Sequence, residues 1–431
     1  MTSVTAVSDL DRRSTTPAHS VVGPRRGRRR QIPRLTWILQ LFPVSMVVLA
    51  PYAVLVIPMA VVHDNPQIGF IATLLALALA GTVAVELASL GGAGRRGEWQ
   101  RGMARSNAGY PQLFRVARLV AMVSIVADLV GASFGHGTIF TQVSGEIAAS
   151  PAATVSALFS GWRYLAFALL LSSLLGGRAS RVACLGWTGG LVGTQTVLVI
   201  MTARTAPMIG YLSFVVAVAA ICGVLRTRFV VVLILALFLA WPTIFALRNE
   251  VRVEGGVAVN EAVSSADRLR FDLQVTRASG YDVPADIDKP DLSQIVRYGV
   301  VPRILDPGRP TLSTGVRINE YLGGSSTSAY TFLGLGTMYF LEGPWGIVLF
   351  YAAWALIGVL LLRAGGAPGP VRLALFCFAT ASPLMWLKVY PESLIGFIQF
   401  SVAALPVLLL LHLTRQRGGP RAERPAPRPR T

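Results

Sequence analysis

The sequence predicts an all-α polytopic membrane protein with about ten transmembrane helices and one large extracytoplasmic loop. Three observations carry that prediction. Of 431 residues, 53% are hydrophobic and only 14% charged, whereas a soluble chain has about a quarter of its residues charged. Apolar stretches of spanning length, roughly 20 residues, recur along the chain. The formal charge of +18 is nearly all arginine, Lys289 and Lys388 being the two lysines. Those arginines fall in short runs between the apolar stretches, as the positive-inside rule requires. Nucleic acid is not the partner such a distribution fits, because binding it takes a basic face or stripe.

The elements follow in order. Residues 1–36 are polar and carry eight arginines, among them Arg12, Arg13, Arg25 and Arg34. They lack the apolar content to fold alone and read as a disordered cytoplasmic tail whose arginines can hold membrane lipid headgroups. Spans one to seven occupy 37–247. The first, about 37–62, is interrupted by Pro43, Pro51 and Pro58. It is too long for the apolar region of a signal peptide, so it reads as a retained span. The others lie at about 68–90, 119–134, 161–177, 183–203, 206–224 and 229–247. Spans eight to ten lie at about 343–362, 372–388 and 393–413, and an Arg/Pro tail fills 414–431.

Ten spans put both termini on one side, and the arginines say which. The segments assigned to the cytoplasm hold 26 basic residues, and the short outer turns hold only Arg163, Arg204 and Lys388. The large polar segment, 248–342, then lies outside. From Arg248 to Ser328 it carries eleven acidic and ten basic residues, which long loops tolerate on translocation. Its end, 329–342, is short for a span and rich in Tyr and Phe, so it reads as a re-entrant or interfacial helix.

The candidate chemistry gathers on that outer side. Arg204 ends span five where cations are scarce; it could clamp a phosphate bidentately or snorkel to headgroups. Arg303, Asp306, Arg309, Arg317 and Glu320 crowd one stretch stiffened by Pro302, Pro307 and Pro310. The arginines offer cationic donors. Asp306 or Glu320 offers a carboxylate for sugar hydroxyls or for general-base work. The same residues could also simply bridge one another in a solvated loop. Lys388, with Tyr390 and Glu392, forms the turn before span ten, where capping of helix ends is the plain alternative. Cys184, Cys222 and Cys377 lie in apolar stretches with no metal spacing. No second ligand accompanies His63 or His136, and no nucleotide fingerprint appears, so no metal or cofactor is expected. Glu86 and Asp128, the acids inside spans, read as structural partners rather than a proton relay.

Three short motifs carry a resemblance. Thr202-Ala203-Arg204-Thr205, Val301-Pro302-Arg303-Ile304-Leu305-Asp306-Pro307-Gly308-Arg309-Pro310, and the run from Ser325 through Leu333-Gly334 to Glu342-Gly343-Pro344-Trp345-Gly346 resemble the bacterial O-antigen and exopolysaccharide repeat-unit polymerases. The likeness covers roughly residues 180–365. The related O-antigen ligases use a histidine late in the large loop, and none lies there here. The resemblance implies a GT-C-type helical glycosyltransferase of the bacterial inner membrane. It would lengthen a polyprenyl-diphosphate-linked glycan at the outer face without a metal. Its substrate would be a lipid-linked oligosaccharide, with a flippase and a chain-length regulator as partners. Arg204, Arg303, Arg309, Arg317 and Lys388 would then bind the diphosphate, and Glu320 or Asp306 would serve as base. A flippase or transporter of lipid-linked saccharides, or a non-catalytic assembly subunit, is the competing expectation.

Overall fold

A computed structural model describes residues 42–89, 107, 109–134, 152, 156, 159, 161–202, 206–222, 224–225, 227–254, 270–301, 305–306, 314–324, 330–363, 369–381 and 391–415. Among them every regular element is helical. In chain order these are α1 (Pro43–Pro51), a π-turn (Tyr52–Val56), α2 (Ile57–Val62), α3 (Ile68–Ala88), α4 (Leu113–Phe134), α5 (Trp162–Leu175), α6 (Arg181–Thr202), α7 (Ala206–Ile221) and α8 (Thr227–Glu254). The polar segment supplies α9 (Phe271–Thr276), α10 (Leu292–Val300) and α11 (Thr314–Tyr321). Then come α12 (Leu333–Arg363), α13 (Pro370–Ala381), α14 (Glu392–Ala403) and α15 (Leu405–Leu413). Among the described residues four stretches are long and apolar enough to cross a membrane: Ile68–Ala88, Arg181–Met201, Leu333–Leu362 and Glu392–Leu413.

Two cores hold the bundle. One surrounds α5, whose residues from Trp162 to Ser173 are buried apart from Arg163. A helix apolar all round must be central, and α4, α6, α7, α13 and α14 supply the side chains that cover it. The other core joins α1, the π-turn, α3 and α12. There α3 and α12 approach so closely that a Cβ on Gly81 would stand 2.4 Å from the Val348 carbonyl oxygen and 3.2 Å from the Ala352 nitrogen. Only glycine lets these backbones meet, the device of close-packed membrane helices.

Some boundaries differ from those expected. α4 begins at Leu113 rather than 119, because Leu113, Val116 and Ala117 are buried while Arg118 lies over the Phe114 ring. α8 runs on to Glu254, past the apolar stretch and into the polar segment. The division expected near 343 is a break within α12 at Gly343, with φ 70° and ψ −174°. That conformation is essentially restricted to glycine, and Pro344 then opens the second half as a first-turn proline does.

Charges inside the bundle are partnered. Glu86, fully buried near the end of α3 away from the polar segment, accepts from the backbone N–H of Val44 at 2.9 Å and from the Ser45 hydroxyl. It thereby caps the N-terminus of a neighbouring helix, where a carboxylate is favoured. Asp128 on α4 accepts from Arg163 Nη1 on α5 at 2.9 Å and from Gln195 Nε2 on α6 at 2.7 Å. One carboxylate thus ties three helices.

Candidate functional site

The polar segment folds onto one end of the bundle. α9 is pinned first: Arg270 grips Asp272 through Nε and Nη2, both at 2.9 Å, and Asn65, in the turn before α3, donates to the same carboxylate at 2.8 Å. Burial alone would raise the Asp272 carboxyl. The Arg270 fork and the Asn65 amide outweigh that and hold it below the ordinary carboxylate range. α10 is started by a capping box in which Asp291 accepts from the Gln294 N–H at 2.7 Å. That bond keeps the Asp291 carboxyl low. The apolar side of α10, Ile295 and Tyr298, lies against Ile395 of α14, and Gln399 donates to the Tyr298 carbonyl at 3.0 Å.

α11 is begun by a carboxylate from elsewhere. Glu392 accepts from the Thr314 N–H at 2.6 Å, so its capping role is exercised on α11. Ile318 of α11 is buried with Ala278, Ala285, Phe332, Phe340 and Leu341 in a small core beneath the segment. Between α11 and the chain entering α10 opens a cleft lined by Asp288, Lys289, Pro290, Thr314, Arg317 and Leu341, among others. Its volume is about 10 Å³, room for about one water, so it is a shallow indentation and not a pocket for a glycan. Arg317 donates to the Asp288 carboxylate at 2.8 Å and to the Asp288 carbonyl. Lys289 donates to the Leu341 carbonyl at 2.8 Å and to Glu342 at 3.1 Å.

Of the residues singled out from the sequence, Arg317 and Glu320 share one face of α11, three residues apart. Arg317 lines the cleft. Glu320 is exposed and, among the described residues, has no ion-pair partner. Asp306 stands apart from them in a pair with Arg297 at 2.9 Å, its second oxygen buried and without a partner among the described residues. Arg204, Arg303, Arg309 and Lys388 lie outside the described residues. Lys289 and Asp288 were not anticipated; the signal available was that Lys289 is one of only two lysines, in the acidic run 286–291. Among the described residues no three His, Cys, Asp or Glu side chains gather as metal ligands would.

Comparison with known protein families, curated proteins and solved structures finds no match. The class that the fold defines is structural: a protein helical throughout its described residues, with apolar helices of spanning length and a polar cap seated on one end.

Proposed function

We propose that this chain polymerises polyprenyl-diphosphate-linked oligosaccharide repeat units into surface polysaccharide. It acts as a glycosyltransferase of GT-C-like fold with about ten spans, the cap at the outer face of the bacterial inner membrane and both termini in the cytoplasm. The observation that carries this is the shared face of α11, where a cation, Arg317, and a carboxylate without an ion-pair partner among the described residues, Glu320, stand one turn apart, Arg317 lining a shallow cleft.

In the reaction an acceptor hydroxyl oxygen attacks the anomeric carbon of the donor glycan. The bond from that carbon to the phosphate oxygen breaks, and its electron pair leaves with the polyprenyl diphosphate. The hydroxyl proton passes to a carboxylate. Glu320 suits that task better than Asp306, which is held by Arg297. Arg317, with Arg204, Arg303, Arg309 and Lys388, supplies cationic donors for the leaving diphosphate, so the step needs no metal. A flippase would deliver the substrate and a chain-length regulator would set product size.

The test is chain-length distribution from lipid-linked repeat units in purified, reconstituted protein. Glu320→Gln should bind substrate and lose on the order of 10²-fold or more in turnover. Arg317→Ala should lose more rate than Arg317→Lys, which keeps the charge without the fork. Wild-type polymer from Glu320→Gln and Arg317→Ala together would end the proposal. The Asp128–Arg163–Gln195 cluster inside the bundle favours a second reading, a transporter of lipid-linked saccharides. Translocation of labelled substrate without elongation would select it.

A further inference from the structure

Two exposed tyrosines stand at the far end of α11 and beside it. Tyr321 follows Glu320 and lies four residues beyond Arg317, so Arg317, Glu320 and Tyr321 form one stripe along α11, about 6 Å long. The Tyr321 ring stands 6.5 Å from that of Tyr281, and both rings meet Phe340 edge-on, at 5.4 and 5.6 Å. Phe340 is fully buried, whereas Tyr281 and Tyr321 are 39% and 46% exposed. Among the described residues neither tyrosine hydroxyl has a hydrogen-bond partner, although both sit on a packed aromatic base.

The charge around them narrows what could lie there. At the Arg317 end each cation is matched: Arg317 by Asp288 and Lys289 by Glu342. Glu320, the charge nearest the tyrosines along α11, is negative and has no ion-pair partner among the described residues. An anion at the tyrosine end would be repelled. A ring with an apolar C–H face and a rim of hydroxyls would not. It could lay its face on the tyrosines and offer hydroxyls to the Glu320 carboxylate, which only accepts. We infer that Tyr281 and Tyr321 form the subsite for the acceptor's terminal sugar ring, holding its hydroxyl against Glu320. This rests on the polymerase reading above but assigns the glycan, not the diphosphate.

The test uses the full chain in nanodiscs. The probe is glycan freed by mild acid from the lipid-linked pool of the producing cells, which keeps the sugars and loses lipid and diphosphate. Tyr281→Ala and Tyr321→Ala should each weaken glycan binding roughly three- to tenfold, and Tyr321→Phe, which keeps the ring, should stay within about twofold of the original. In the unaltered protein, bound glycan should shield both rings from nitration by tetranitromethane, a readout independent of how the variants fold. Absence of glycan binding, undiminished binding by both alanine variants, or equal nitration with glycan bound overturns the subsite. So does shielding by anionic nanodisc lipid alone, which would make the pair an interfacial anchor. Glycan-dependent shielding without elongation of lipid-linked units keeps the subsite and removes the polymerase. Elongation without shielding does the reverse.

Discussion

Arg163–Asp128 and Arg317–Asp288 are the same chemical pair at nearly the same distance, 2.9 and 2.8 Å, in two different surroundings. The Asp128 side chain is 4% exposed and that of Asp288 is 86% exposed. Inside the bundle Asp128 cannot turn to water, so it is committed to Arg163 and to Gln195. In the cap, Asp288 is solvated with or without Arg317, so Arg317 can exchange it for a ligand at little cost. Burial, more than contact geometry, separates the arginine that builds the fold from the one available to a substrate.

Four Arg–Asp pairs, two with buried carboxylates (Asp128 and Asp272), one with a partly exposed one (Asp306) and one with a solvated one (Asp288), test this reading. Asp128→Ala leaves Arg163 buried without its counter-charge and should destabilise by about 3–5 kcal/mol, read by denaturant unfolding in detergent. Asp128→Leu with Arg163→Met should recover most of that, and a double variant no better than the single would break the comparison. Asp272→Asn, also buried, should cost roughly 1.5–3 kcal/mol, felt as faster proteolysis of the cap while the bundle stays folded. The pH dependence follows from the lowered Asp272 carboxyl. Its contribution is fully present above the unfolded value of about 3.9 and fades as pH falls through the lower folded value. Cap protection should therefore hold through neutral pH and fail only in strong acid. Loss between pH 5 and 7 would show that another group sets the latch. Asp306→Ala, removing the partner of an exposed arginine, should cost about 1 kcal/mol. Asp288→Ala should change stability by less than about 1 kcal/mol; a cost equal to that of Asp128→Ala would overturn the role given to burial.

Hydropathy made the apolar helices legible, and Gly343-Pro344 marked the break in α12 because glycine and proline punctuate a chain wherever they occur. The cap was harder to read. α11 is short and includes Thr314, Gly315 and Asn319, residues with weak helix preference. The stripe of Arg317, Glu320 and Tyr321 therefore read as a loop crowded with charge. α10 carries apolar residues at helical spacing, Leu292, Ile295, Val296 and Val300, but it is shorter than the roughly 11-residue window in which a period can be declared. Partners were least legible of all. Asp128 finds Arg163 35 residues away, and Asp272 finds Asn65 207 residues away, pairings that no local pattern encodes. Asp288 looked like an ordinary solvated acid, and its exposure agrees, yet Arg317 leans on it.

Glu86 has a consequence for how the chain is made. Its carboxylate belongs to α3, and the groups it satisfies, Val44 and Ser45, belong to α1, which is synthesised earlier. Neither set enters hydrocarbon readily alone, since unpaired amides and a lone carboxylate are both costly there. Insertion of α1 and α3 together, rather than one after the other, spares the bilayer both costs, so this junction favours the two helices entering as a pair.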